Sequence, residues 1–302
     1  MQHPGNPSLL SNGVLSAVLR VEADQVRYGV IRGDQFRLVS HLLDGEARLD
    51  NCSVDALQGH ISLRGYMRST ANRAHHPTQL QIRLDDVQLP ALFATATSMG
   101  LNVLSGDNVR GTLRGVADVR TDLGPTFLPG LQQTAGYLKT DFRDLELLNV
   151  EALMETLKFM KAERTGHLYF EPVTGEFLLA QGQLIIPGLQ LNSNLSNLEV
   201  SGHYGLDGAT NLFIGLQPMK ALFGNNDKRI ERIQNGEPMS KADAKGKNRL
   251  TYVNLRRTAP KEKYKVRLFQ RNEQRDALDK LRAQYRNFLL TQRLDTTVRL
   301  LR

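Results

Sequence analysis

The sequence predicts a mainly β chain: one long, curved antiparallel sheet, a groove or half-barrel, with a few amphipathic helices and a C-terminal helix. Three observations carry this expectation. Apolar residues recur with period two over most of the chain, which sends alternate side chains to opposite sheet faces. Turn signals interrupt the pattern every ~8–15 residues with no βαβ rhythm between them, as in antiparallel meanders. Helical patterns are too few to cover roughly 15 short strands. A sheet with one apolar face must then curl on itself to shelter that face.

In chain order, Ile61 and Leu63 alternate with Ser62 and Arg64. Leu80, Ile82 and Leu84 alternate with Gln81 and Arg83. Residues 91–99 read as a short helix behind Pro90, a residue type favoured at the start of helices. Residues 149–161 place Val150, Leu153, Met154, Leu157 and Met160 on one stripe, with Asn149 suited to N-capping. Leu184 and Ile186 flank Ile185, and Leu195, Leu198 and Val200 precede Gly202 and Tyr204. A weaker helical stretch over 219–233 is broken near Gly224-Asn225-Asn226. Residues 235–249 are polar and read as a loop. Alternation resumes at 250–255 and 264–269, which should supply the last strands. Residues 273–290 form the clearest helix, with Leu278, Leu281, Tyr285 and Phe288 at three-and-four spacing. Strand punctuation is expected at Gly33-Asp34, Asp44-Gly45, Asp122-Leu-Gly124, Thr174-Gly175 and Leu206-Asp-Gly208. Nine aliphatic residues are expected to share the concave face: Ile61, Leu63, Leu80, Ile82, Leu84, Leu184, Ile186, Leu198 and Val200.

Two internal similarities support a repetitive sheet. Residues 80–89 and 138–147 match at Leu80/Leu138, Leu84/Phe142, Asp86/Asp144, Val87/Leu145 and Leu89/Leu147. Each reads as a strand, an Asp-marked bend and then a helix. A strand-Gly-strand cassette recurs as Ile61-Ser-Leu-Arg-Gly65-Tyr66 and Leu198-Glu-Val-Ser-Gly202-His203-Tyr204.

Motifs of catalysis do not stand out. The chain has no G-x-S-x-G, no G-x-G-x-x-G and no Walker loop. Its histidines are scattered, and His75-His76 before Pro77 reads as a turn rather than a metal site. Asp85-Asp86 would suit paired acids, but the matching Arg143-Asp144 favours a strand-end turn. His203 and Tyr204 point to opposite faces of a strand and cannot act as a local pair. The expectation is a non-enzyme with no catalytic residues, no metal site and no cofactor. The single Cys52 cannot close an internal disulfide. No signal-peptide pattern opens the sequence, and the apolar stretch 89–104 is interrupted by Pro90, Thr95, Thr97, Ser98 and Asn102, short of a membrane span. The chain as written is expected to be soluble.

Charge is unevenly distributed. Residues 225–302 carry 21 Lys+Arg against 9 Asp+Glu, whereas 1–224 carry 18 against 22. A near-neutral body with a basic tail suits an anionic partner, nucleic acid or membrane head groups; a solvated Arg-rich helix is the plainer alternative.

The stretch 136–153, GYLKTDFRDLELLNVEAL, continuing to Leu157-Lys-Phe-Met160, resembles the AsmA-like C-terminal region, in which a strand leads into such a helix. The strand segments 176–187 and 198–208 are similar to the same family's patterns, and over 14–120 only the strand rhythm agrees. The resemblance implies a Gram-negative envelope protein of AsmA/TamB type. Relatives are anchored in the inner membrane by one N-terminal helix, project into the periplasm, and are associated with outer-membrane assembly and phospholipid transport along a β-groove. The anchor and the usual N-terminal domain are missing from this chain, so periplasmic, inner-membrane-associated localisation is an implication of the family alone. Residues 1–270 would then be the β-groove domain and 271–302 a basic helical tail. Partners would be phospholipid and the inner-membrane surface or envelope proteins rather than nucleic acid. Arg275, Arg282 and Arg286 would attract anionic lipid, each contributing about 1 kcal/mol near such a surface. An aliphatic curl with no Trp suits either a closed core or an open trough, and the resemblance favours the trough. The alternative is a structural or interaction β-scaffold whose basic tail binds nucleic acid or protein.

Overall fold

A computed structural model describes residues 16–43, 45–69, 75–98, 104–157, 162–217, 221–222, 224–237, 250–259, 261–269, 271–292 and 294. Alternation over the first third of the chain produces five long strands, β1 (Ala17–Tyr28), β2 (Ile31–Leu43), β3 (Glu46–Ala56), β4 (Gly59–Arg68) and β5 (His76–Gln88), followed by helix α1 (Leu89–Ser98). The middle contains β6 (Val109–Leu123), β7 (Ala135–Leu148), two short helices α2 (Glu151–Thr156) and α3 (Ala162–Thr165), then β8 (His167–Tyr169), β9 (Val173–Ala180), β10 (Gln183–Asn192), β11 (Asn197–Gly205) and β12 (Thr210–Leu216). Helix α4 (Asn226–Gln234), β13 (Thr251–Arg257), β14 (Lys265–Phe269) and helix α5 (Arg271–Gln292) complete the order.

All strands belong to one antiparallel sheet of 14 strands that does not close. Neighbours in sequence are neighbours in the sheet, except that β7 pairs with β9 over Ala135–Phe142 and with the short β8 over Glu146–Leu148. The expected last strands are β13 and β14. The 235–249 loop lies mostly outside the described residues, as do residues 158–161 of the expected helix.

The register is broken by bulges at Asp34/Arg37, Leu49/Cys52, Leu84/Val87, Arg110/Thr112 and Ile186/Leu189. Bulges raise local twist and bend the strand. The repeated aspartates mark two of them: Asp86 and Asp144 both adopt left-handed backbone, with φ of 53° and 51°. Asp tolerates that conformation better than most residues. The repeated glycines have a related role. Gly65 (φ 154°) and Gly202 (φ 136°) lie so close to the next strand that an added Cβ would sit 2.0 Å from the Gln79 carbonyl oxygen and 2.2 Å from that of Asn211.

The curl has a direct signature. The Tyr28 hydroxyl, on the first strand, donates to the carbonyl of Phe127 in the β6–β7 connection. In a flat sheet five strand spacings alone would separate them by about 24 Å. His76 is buried and stacks on the Phe127 ring at 5.0 Å between centroids. By register Tyr28 and His76 both belong to the face that carries Ile61, Leu80 and Val119. The sheet therefore bends toward that face.

Three local expectations are corrected. Gly33-Asp34 does not end a strand but lies within β2, where Gly33 lets the backbone pass close to Val54 of β3. The turn falls at Gly29-Val30 instead. Thr174-Gly175 lies within β9, where Gly175 leaves room for the Phe177 ring and Leu189. Asn149 does not cap α2: its φ is 49°, its N–H bonds to the Gly166 carbonyl, and Val150 occupies the cap position without a side-chain bond.

Two apolar clusters hold the sheet. The larger lies on the face toward which the sheet bends and joins Phe177, Ile186, Leu198, Ile214, Val253 and Leu255 of the sheet to Leu89 of α1 and Leu153 of α2. The smaller lies on the opposite face, where Leu278 and Leu281 of α5 pack with Tyr137, Leu178 and Ile185. Neither cluster reaches β1–β4.

Candidate functional site

Strand pairing determines which side chains share a face. Ile61 lies opposite Leu84, Leu63 opposite Ile82, and Gly65 opposite Leu80. The same row continues through Val119, Ala117 and Gly115 of β6, then Gly136, Leu138 and Thr140 of β7. It crosses β9 at Leu179 and Phe177 and reaches Leu184 and Ile186 of β10. Beyond the β10 bulge, Leu189 lies opposite Val200 and Leu191 opposite Leu198. The pairing thus brings all nine aliphatic residues singled out from the sequence onto one face.

Their surroundings divide them. Ile61, Leu63, Leu80 and Ile82 are half-buried outside the larger cluster, whereas Leu84 and Leu184 are half-buried and pack against it. Ile186, Leu198 and Val200 are buried in the larger cluster. The row extends beyond the nine toward the first strand, through Cys52 and Val54 of β3, Leu38 of β2 and Val21 of β1. The opposite face of β1–β5 is polar. There His41 pairs with Asp50, His60 with Asp55 at 2.7 Å, and Arg83 with Asp85 at 2.7 Å. His75 pairs with Asp122 at 2.7 Å and His76 is stacked on Phe127, so the two histidines serve separate contacts.

At its β10–β13 end the apolar face enters a pocket of about 430 Å³ beside α2 and the 104–108 segment. That volume lies in the range of small-molecule sites, ~300–1,000 Å³. Ile186, Leu189, Val200, Leu212 and Ile214 line the sheet side, while Ala152 and Leu153 of α2 line the other. Polar groups gather at Tyr204, Tyr264, Glu151 and Arg257. The Arg257 guanidinium stacks over the Tyr264 ring at 4.3 Å, donates from Nε to the Gly208 carbonyl at 3.1 Å, and lies 3.5 Å from Glu151. Burial, together with the nearby Tyr264 hydroxyl, pushes the Tyr204 phenol up to about 12. Tyr204 is therefore not poised for proton transfer near neutral pH. These groups provide an apolar chamber with a polar rim.

The sequence reading passed over Arg257. Alternation from Leu255 was the available signal, since it assigns Arg257 rather than Arg256 to the apolar face. Arg275, Arg282 and Arg286 are all exposed on α5 and flank the stripe of buried Leu278 and Leu281. Among the described residues no helix is long and apolar enough to cross a membrane. Comparison with protein-family models, with curated proteins and with solved structures gave no match.

Proposed function

We propose that this chain is a non-enzymatic envelope-biogenesis protein whose apolar β-groove binds phospholipid acyl chains and conveys them between membranes, in outer-membrane assembly. The observation that carries the reading is the aliphatic row that spans the sheet yet lies outside both core clusters over β1–β4. Apolar surface left in water is unfavourable by about 25 cal/mol per Å², and large exposed apolar patches mark binding sites. A long, largely aliphatic row suits hydrocarbon better than a polar ligand. The resemblance of residues 130–220 to the AsmA-like C-terminal region supports the same reading, and with it a periplasmic, inner-membrane-associated setting. The exposed arginines of α5 would add weak attraction to an anionic lipid surface.

The test is extraction and mass spectrometry of lipid co-purified with the chain, combined with photocrosslinkers placed along the sheet. Phospholipid should co-purify and crosslink at Ile82 and Leu63, not at Gln81 or Arg83. Ile82→Asp should abolish occupancy. Crosslinks confined to Gln81 and Arg83 would reverse the facing. Tight binding of DNA or RNA at physiological salt, with no lipid recovered, would replace this reading by that of a scaffold with a basic tail.

A further inference from the structure

The pocket at the β10–β13 end differs from the open face in one respect: it contains a charge. Arg257 occupies a face position where alternation calls for an apolar residue, and its side chain is only 10% exposed. Taking a cation out of water is costly unless it is paired and hydrogen-bonded. Its described ionic partner, Glu151, lies at a long 3.5 Å and is itself 65% exposed, so it is a weak match. The bond to Gly208 and the stack on Tyr264 orient the guanidinium. A guanidinium has five donors in a planar fork that suits a carboxylate or phosphate. The chamber beside it is lined by Ile186, Leu189, Val200, Leu212 and Ile214. Together these groups form an apolar pocket wall with a cation at its rim.

We propose that this pocket is a discrete binding site for one acyl chain bearing an anionic oxygen group, the chain lying against Ile186, Val200 and Ile214 and the anion on Arg257. The proposal rests on the lipid-handling reading and adds a saturable site with head-group selectivity. Among the described residues the row over β1–β5 carries no comparable cation, and the open face should accept chains without regard to head group.

The experiment titrates the full chain with cis-parinaric acid, a fluorescent fatty acid, and with its uncharged methyl ester. One acid molecule should bind per chain, about tenfold tighter than the ester, equivalent to about 1.4 kcal/mol. Arg257→Gln should weaken the acid about tenfold and leave the ester unchanged, and Arg257→Lys should fall between. Ala152→Phe, which fills the chamber from α2, should weaken both, with thermal melting confirming that each variant folds. Displacement by palmitate assigns a carboxylate, displacement by palmitoyl lysophosphatidate assigns a phosphate, and inorganic phosphate alone should displace neither probe. Equal affinity of acid and ester in the unmodified protein would overturn the proposal whatever the variants do. So would equal loss of both probes in Arg257→Gln, which would make Arg257 a mere brace for the Gly208 turn. Phospholipid crosslinked at Ile82 with no stoichiometric acid binding would remove the pocket and leave the open-face reading standing. No lipid at either place would remove both.

Discussion

Gly202 and Gly188 adopt left-handed backbone at φ 136° and 156°, yet their surroundings differ. A Cβ on Gly202 would meet the Asn211 carbonyl oxygen at 2.2 Å, whereas on Gly188 the nearest atom is the Ser201 hydroxyl at 3.9 Å. Both substitutions by alanine incur backbone strain, but only the first forces two strands apart. Denaturant melts should show Gly202→Ala to be the worse, by more than about 1 kcal/mol. Asp86 offers a test by pH. Arg114 bonds both of its oxygens, at 2.8 and 2.7 Å, and holds its carboxyl below the usual range. A carboxyl whose pKa is lowered by folding contributes fully above its unfolded value, near 4, and loses that contribution as pH falls through the lowered value. Asp86→Asn keeps tolerance for the left-handed backbone and loses the charge. Melts from pH 7 to pH 2 should converge with those of the parent at the acid end, and the gap above pH 4 should be small because the pair is exposed.

Elements acquire their stability from what covers them. Helix α5 has 22 residues, a length at which an isolated helix in water is still only marginally stable. Its buried Leu278 and Leu281 rest on Tyr137, Leu178 and Ile185, so the tail is integral to the sheet's second face. Leu281→Ala should cost about 2–4 kcal/mol in a chemical melt. Removing residues 271–302 should lower the melting temperature further. Replacing Arg275, Arg282 and Arg286 together by Gln should instead leave melting unchanged while reducing binding to anionic liposomes, an effect that fades as salt rises. If truncation alters neither property, the helix is a free appendage. The same cover explains the continuous apolar runs Phe177-Leu-Leu-Ala180 and Leu184-Ile-Ile186: both faces of β9 and β10 are buried there.

Across the whole molecule, burial is graded. The N-terminal strands β1–β4 lie outside both clusters, while β9–β13 lie within the larger. Amide exchange should therefore be faster in β1–β4 than in β9–β13, since segments with few buried apolar contacts open at lower free energy. Exchange at equal rates would mean that the face is sealed throughout. A paired substitution makes the same distinction. Val200→Asp introduces a carboxylate into the closed part of the core and should cost several kcal/mol or prevent folding. Ile82→Asp, on the half-buried part, should stay folded and lose less than about 2 kcal/mol.

Period-two spacing, clearest at Ile61–Leu63 and Leu80–Leu84, was enough to establish a mainly β, antiparallel chain and to put nine residues on one face. It succeeded because strand side chains alternate strictly and antiparallel pairing propagates that parity from strand to strand. The repeated Asp86/Asp144 and Gly65/Gly202 were also legible, as residues whose backbone preferences mark bulges and close approaches. Alternation could not reveal that Ile186, Leu198 and Val200 are roofed while Ile61, Leu63 and Ile82 are not, because cover comes from helices distant in sequence. Nor could it place Tyr28 against Phe127, which depends on twist accumulated over five strand pairs. The pocket was hidden for the same reason: Ala152, Ile214, Arg257 and Tyr264 are brought to one chamber by the curled sheet, and no local pattern joins them. Local chemistry determined which face is apolar; long-range packing decided where that face stays open, where it is roofed, and where a charge waits at its rim.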